Sequence, residues 1–248
     1  MKKRYLSSLL LAGSILSTQL VASEIKIMTE NYPPYNMEVE GELKGLAVDV
    51  LDAMLKDMGT PEVKNDIVLG AWSKAYSYAK DKKNHMVFST TRIDEREPLF
   101  KWVGPITKST VGVVAPKASN LKILSASDLN KYTVGAVKKG VGESLLLEQG
   151  VNKSNIKSSG GKSVVKSSYK KMEKGKIDMF AYEVTVGKYI ANENGFDTSK
   201  YETVYILKEG ELYFAFNKET DDAIIQKWQK SLDTIKANGE YDKIISKY

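Results

Sequence analysis

The sequence predicts an α/β fold built on mostly parallel sheets. Two observations carry this: short apolar strands alternate with amphipathic helical stretches along the 248 residues, and clusters of polar residues fall at the ends of those strands. Ligands of parallel sheets bind at the carboxyl ends of the strands, so the second observation also says where to look for function.

Taken in order, the chain opens on Met1, Lys2, Lys3 and Arg4, then an uncharged, largely apolar stretch from Tyr5 to Val21, then Ala22, Ser23 and Glu24. This is the pattern of a secretory signal peptide over residues 1–23, with cleavage expected after Ala22 or Ser23 and a periplasmic destination. Ser7, Ser8, Gly13, Ser14, Ser17, Thr18 and Gln19 interrupt the apolar stretch and speak against a stable membrane span. Glu24 to Met28 alternates as a strand, and Thr29 to Asn36 is a loop stiffened by Pro33 and Pro34. Gly41 and Gly45 frame a turn, and apolar residues recur at helical spacing from Leu46 to Met58, where Gly59 and Pro61 end the helix. A strand near Asp66 to Leu69, a helix from Ser73 to Lys82 and an apolar strand at Met86, Val87 and Phe88 follow.

The remaining units begin at a strand from Val111 to Ala115. A capped turn at Ser127, Asp128 and Leu129 and a strand from Tyr132 to Val137 lead into a helix from Glu143. Val164 to Lys174 reads as a helix and Lys176 to Tyr182 as a strand. Leu212 to Phe216 is a strand, and Asp221 to Ala237 is an amphipathic helix carrying Ile224, Ile225, Trp228, Leu232 and Ile235.

Composition narrows the function. Residues 1–23 carry three basic and no acidic side chains, so their removal lowers the formal charge from +6 to +3. No long basic block with interleaved aromatics is present, which argues against nucleic acid as a partner. The absence of cysteine excludes disulfides, thiol nucleophiles and cysteine-ligated metals. His85, the single histidine, has no partner residues at ligating spacing, so neither a metal nor a cofactor is expected. Gly160 to Val164 (GGKSV) is no phosphate loop, because the first glycine of that motif would fall at Ile156.

The most informative stretch is Met86 to Ile106, MVFSTTRIDEREPLFKWVGPI. The strand runs into Ser89, Thr90 and Thr91, which can donate hydrogen bonds, and then into Arg92 and Arg96, whose planar guanidinium forks suit a carboxylate. The alternative is a solvated turn in which Arg92, Asp94, Glu95, Arg96 and Glu97 neutralise one another. Three further polar clusters lie at strand ends: Thr29 to Tyr35, Tyr182 to Glu183, and Lys138 to Ser144 at a helix N-terminus that favours anions.

In their order, YPPY (Tyr32 to Tyr35), GLAVDVLDAML (Gly45 to Leu55), STTRIDERE with FKWVGPI, VGAVKKGVGE (Val134 to Glu143), GKIDMFAYE (Gly175 to Glu183), and FAFNKETD with NGEYDKIISKY resemble the bacterial extracellular solute-binding proteins of the amino-acid-binding type, in a divergent branch. The resemblance covers the whole chain after residue 23. It implies a two-lobed type II periplasmic-binding-protein fold with a two-strand hinge, one lobe being residues 24–108 plus 211–248 and the other 109–210. Closure by hinge motion would trap the ligand between the lobes.

The resemblance also implies residue roles. Arg96 is the counterpart of the family's carboxylate-gripping arginine, with Arg92 its competitor. Ser89 and Thr91 would present hydroxyl and backbone donors, and Gly140 with Val141 would add backbone donors from the second lobe. Glu183, five residues past Asp178, matches the acidic partner of the ligand ammonium. Tyr32 and Trp72 would pack on the ligand's apolar stem, and Glu30 either selects a cationic side chain or merely decorates its loop.

The implied protein is a monomer that performs no chemistry and hands a small carboxylate-bearing ligand, an amino acid or a relative of one, to the membrane permease of an ABC importer. Two alternatives share the fold. One is a dehydratase-type enzyme with Glu183 or Glu30 as general acid, although no paired acid and base are visible. The other is a sensing module that presents its ligand state to a membrane receptor.

Overall fold

The computed structural model describes residues 25–248; the expected signal peptide and Glu24 lie outside the described residues. Ten strands and seven helices follow in the order β1 (Lys26–Glu30), β2 (Met37–Val39), β3 (Glu42–Lys44), α1 (Leu46–Asp57), β4 (Val68–Gly70), α2 (Trp72–Asp81), β5 (His85–Thr91) and β6 (Phe100–Pro116), then β7 (Val134–Val137), α3 (Val141–Glu148), β8 (Ile156–Ser159), α4 (Val164–Glu173), β9 (Met179–Glu183), α5 (Val184–Glu193), β10 (Tyr201–Asn217), α6 (Asp222–Ala237) and α7 (Glu240–Ile245).

Eight strands form one sheet in the order β4-β1-β5-β10-β6-β9-β7-β8, and β2 with β3 makes a separate hairpin turning at Gly41. β1 is parallel to both β4 and β5, and β7 is parallel to both β8 and β9. Between these two parallel groups run β10 and β6, an antiparallel pair of 17 residues each, paired from Tyr201 and Pro116 to Asn217 and Phe100. The molecule is therefore two α/β lobes sharing two long strands. Their length was only half legible: Leu212 to Phe216 reads as a strand because it is apolar and buried, whereas Glu202, Thr203, Lys208, Glu209 and Glu211 have no apolar alternation to announce one.

Packing explains the helices. α1 buries Leu46, Ala47, Val48, Val50, Leu51, Ala53, Met54 and Leu55, and α6 lays Trp228, Leu232 and Ile235 against the same core, where Ser231 Oγ donates to the Met54 carbonyl (3.0 Å). On the other lobe, Val141, Leu145 and Leu146 of α3 pack with Val134 and Ala136 of β7 and Met179 and Ala181 of β9. α5 has no clear counterpart in the sequence reading, because Val184, Thr185, Val186 and Gly187 are poor helix formers. Tertiary context overrides that propensity: Glu183 caps the helix, its side chain accepting from the Val186 N–H at 2.6 Å.

The loop after β1 is tied to α1 without a side-chain cap. Leu46 N–H donates to the Pro34 carbonyl (3.1 Å) and Ala47 N–H to the Tyr35 carbonyl (2.8 Å), so loop carbonyls satisfy the first turn of the helix. Gly45 permits this approach, with φ 125° and room for no Cβ: one would lie 2.5 Å from the Tyr35 oxygen. Gly45→Ala should therefore cost about 2 kcal/mol or more and lower Tm by roughly 4–8 °C. Gly41→Ala, strained at φ 80° but with open space around it, should cost less, and thermal denaturation of the pair checks the difference.

Candidate functional site

The parallel strands bring their carboxyl ends together across the long pair. Glu30 ends β1, Ser89 and Thr91 end β5, Val137 ends β7 and Tyr182 lies one residue from the end of β9; all line one cavity with Tyr32, Trp72, Arg96, Gly140 and Val141. Eight of the ten residues singled out from sequence thus meet in one place. The space there is ≈ 20 Å³, room for about one water molecule and too little for an amino acid in this arrangement of the side chains. Glu30 and Tyr182 also line an adjoining chamber of ≈ 50 Å³ between Leu69–Ala71 and Gly161–Val165. A wider groove of ≈ 690 Å³ near the β2–β3 hairpin holds Glu38, Glu42, Lys44, Asp49 and Lys64, but it has no buried charge aimed into it.

Arg96 dominates the cavity. It sits on a 3-10 turn (Asp94–Leu99) between β5 and β6 and is 1% exposed. Its guanidinium lies 5.3 Å from the Trp72 ring and 5.2 Å from the Tyr76 ring. Nη1 donates to the Thr91 carbonyl (3.2 Å) and Nη2 to the Lys139 carbonyl (3.3 Å), while Nε has no partner. Burial lowers its pKa from the usual arginine value, but a guanidinium keeps its proton in proteins. A buried permanent charge with two neutral acceptors and an orphaned donor is poised for an anion.

The second lobe reaches the same point through Lys139, which holds a left-handed backbone (φ 60°). Its N–H donates to Glu143 (2.6 Å), its carbonyl accepts from Trp72 Nε1 (2.7 Å) as well as from Arg96, and its Nζ donates to Ser77 Oγ (2.8 Å) on α2. The bonds to Trp72, Arg96 and Ser77, and the Tyr35 hydroxyl donating to Glu183 (3.3 Å), cross from lobe to lobe, whereas the one to Glu143 stays within the second. Gly140 caps α3 with its N–H donating to Val137 (2.8 Å), which corrects its expected role as a free donor; the N–H of Val141, first in the helix, has no intrahelical partner.

Two expected residues lie elsewhere. Arg92 is half-exposed on the outer side of the turn, in a bidentate pair with Glu97 (2.5 and 3.0 Å) and near the Trp102 and Tyr213 rings. Glu183 is buried but turned away: it accepts from Val186 and Thr110 N–H groups (2.6 and 3.4 Å) and from Tyr35, and burial raises its pKa against those bonds. Side chains alternate along a strand, so with Glu183 turned out it is Tyr182 that faces the cavity. Tyr182 packs edge-on against Tyr32 with ring centroids 5.7 Å apart. Counting from Asp178 finds the right strand end but the wrong side of it.

Glu30 is then the only carboxylate among the cavity-lining residues. Burial pushes its pKa from 4.5 up to about 8, against the pull of Arg96.

The sequence model described as "Bacterial extracellular solute-binding proteins, family 3" matches residues 25–248. The chain belongs to that family. This solute-binding protein is 25% identical to an "Arginine-binding periplasmic protein" of Mannheimia haemolytica, over 100% of this chain and 98% of the relative. Among solved structures it is similar to a "Histidine Kinase Sensor Domain with Similarity to Periplasmic Binding Proteins" (TM-score 0.75, 19% identity, 91% of this chain and 96% of that one). It is also similar to "An ancestral arginine-binding protein bound to glutamine" (TM-score 0.72, 21% identity, 91% and 97%). The structural matches establish the type II binding-protein fold.

A carboxyl that holds its proton longer in the folded state than in the unfolded one makes stability fall as pH rises between the two pKa values. The ligand-free solute-binding protein should therefore lose stability between pH 4.5 and about 8 with a Glu30 contribution of at most about 1.4 kcal/mol per pH unit. Urea denaturation at several pH values checks this, since Glu30→Gln should flatten that part of the dependence while the Glu183 part remains.

Proposed function

We propose that the chain is a periplasmic solute-binding protein that captures an amino acid, foremost one with a cationic side chain, for the permease of an ABC importer. The observation that carries this reading is Arg96: a buried guanidinium with an orphaned Nε at the meeting of both lobes. The ligand carboxylate takes the place of the Lys139 carbonyl on Arg96, Thr91 supports that end, and the Val141 N–H adds a donor from the second lobe. The stem lies among Tyr32, Trp72 and Tyr182. A cation at the far end meets Glu30 and favours its ionised form, making it an ion-pair partner.

The lobes are proposed as residues 24–108 plus 211–248 and 109–210, joined at the middle of β6 and β10. Irregular pairing between Leu212 and Phe214 and between Ile206 and Lys208 flanks the crossing, which supports a hinge there. The chain acts as a monomer and catalyses nothing: one cavity carboxylate beside an arginine supplies no acid and base pair. Residues 1–23 serve as its export signal. The cationic preference is supported by Glu30 and by the arginine-binding name of the Mannheimia haemolytica relative.

Calorimetry against an amino-acid panel should show one-to-one binding that weakens roughly 10- to 150-fold in Arg96→Ala, the loss of about 1.5–3 kcal/mol expected for a hydrogen bond to a charged group. Arg92→Ala should bind within threefold of wild type. Undiminished binding by Arg96→Ala would overturn the assignment.

A further inference from the structure

Asn36 does not line the cavity, yet it is fully buried and its side chain makes three hydrogen bonds. Nδ2 donates to Thr29 Oγ1 (2.8 Å) and to the Glu30 carbonyl (2.5 Å), and Oδ1 accepts from Ser89 Oγ. The backbone of Asn36 closes the loop on Tyr32, with Tyr32 N–H donating to Asn36 O (2.7 Å) and Asn36 N–H to Tyr32 O (3.1 Å). A single amide thus joins the end of β1, the loop that carries Tyr32, and the end of β5.

The direction of these bonds follows from the chemistry of the partners. The Glu30 carbonyl can only accept, so the amide must present its NH₂ there. Oδ1 then faces Ser89, and the Ser89 hydroxyl must give it its one proton. Ser89 is also held at φ 57°, a backbone state that a residue with a side chain adopts at a cost and that needs support from its surroundings. Next to it the pairing of β5 with β10 slips, between Tyr213 and Ala215. The sequence expectation that the Ser89 hydroxyl donates to a ligand carboxylate is therefore corrected.

We propose that Asn36 is a positioning residue that sets the polarity of the ligand site. By holding the Glu30 backbone in place and taking the Ser89 proton, it leaves the Ser89 oxygen as an acceptor beside Glu30 for a cationic nitrogen of the ligand, while the donors gather at the Arg96 end. This rests on the amino-acid-binding reading above, and adds to it a residue outside the cavity that discriminates charged from uncharged ligands.

The test compares L-arginine with two analogues, each lacking one cation: L-citrulline, uncharged in the side chain, and 5-guanidinopentanoic acid, without the α-ammonium. Calorimetry on wild type, Asn36→Ala and Ser89→Ala gives the affinity ratios, and thermal melts report folding. Wild type should prefer arginine over at least one analogue by tenfold or more. Asn36→Ala should shrink that ratio at least fivefold while changing the affinity for the poorer analogue less than threefold, and Ser89→Ala should shrink it at least twofold. If Asn36→Ala does not fold, the Ser89→Ala ratio decides. Equal weakening toward all three compounds, the mark of a merely structural role, or an unchanged ratio in the folded variants overturns the proposal. A wild-type ratio below tenfold for both analogues overturns it while leaving carboxylate capture intact; a wild type that binds no amino acid overturns both.

Discussion

A guanidinium that cannot release its proton is buried where two lobes meet, and the rest of the site is arranged around that charge. Arg96 is backed by Trp72 and Tyr76, fed by the Thr91 carbonyl from its own lobe, and met by the Lys139 carbonyl from the other. Two neutral acceptors satisfy a buried cation poorly compared with a carboxylate, whose oxygens engage the fork two at a time. On the proposed reading the same residue is poorly satisfied in the empty cleft and better satisfied by a ligand carboxylate. That differential is what a ligand needs in order to shift a population of lobe arrangements.

The topology makes this meeting possible. Parallel strands on each side of the β6–β10 pair end at the same level, so Glu30, Ser89, Thr91, Val137 and Tyr182 converge although up to about 150 residues separate them. The lobes are joined by two continuous strands, the arrangement a hinge motion at their crossing would use. The bonds from Lys139 to Trp72, Arg96 and Ser77, together with Tyr35 to Glu183, show that closure has contacts of its own beyond those a ligand adds. On the proposed reading an incoming carboxylate competes with the Arg96–Lys139 bond, so its binding energy is the difference between two sets of bonds to one guanidinium.

Much of this is written in the sequence where local chemistry decides it. The alternation of strands and helices, the YPPY loop, the apolar face of α1 and the strand end before Arg96 all follow from spacing and residue type. What stays hidden depends on orientation or on distant partners. Arg92 and Arg96 are four residues apart on one turn, and only the turn's geometry sends the first to Glu97 outside and the second into the cleft. Glu183 looks like an ammonium partner until α5 claims it as a cap, a helix whose own residues favour other structure. Asn36 gives no local signal, because its meaning lies in Ser89, 53 residues away. The hinge strands hide for a different reason: near the crossing, polar residues such as Thr107, Lys108, Glu209 and Glu211 interrupt any apolar period.

The central claim is that the ligand carboxylate replaces the Lys139 carbonyl on Arg96. A crystal structure of the mature chain grown with L-arginine tests it most directly. The account predicts both carboxylate oxygens at roughly 2.7–2.9 Å from guanidinium nitrogens of Arg96, with the Arg96–Lys139 bond broken and the guanidinium of the ligand beside Glu30. A ligand carboxylate held by Arg92, or one lodged in the groove beside the β2–β3 hairpin with the Arg96–Lys139 contact intact, would contradict it.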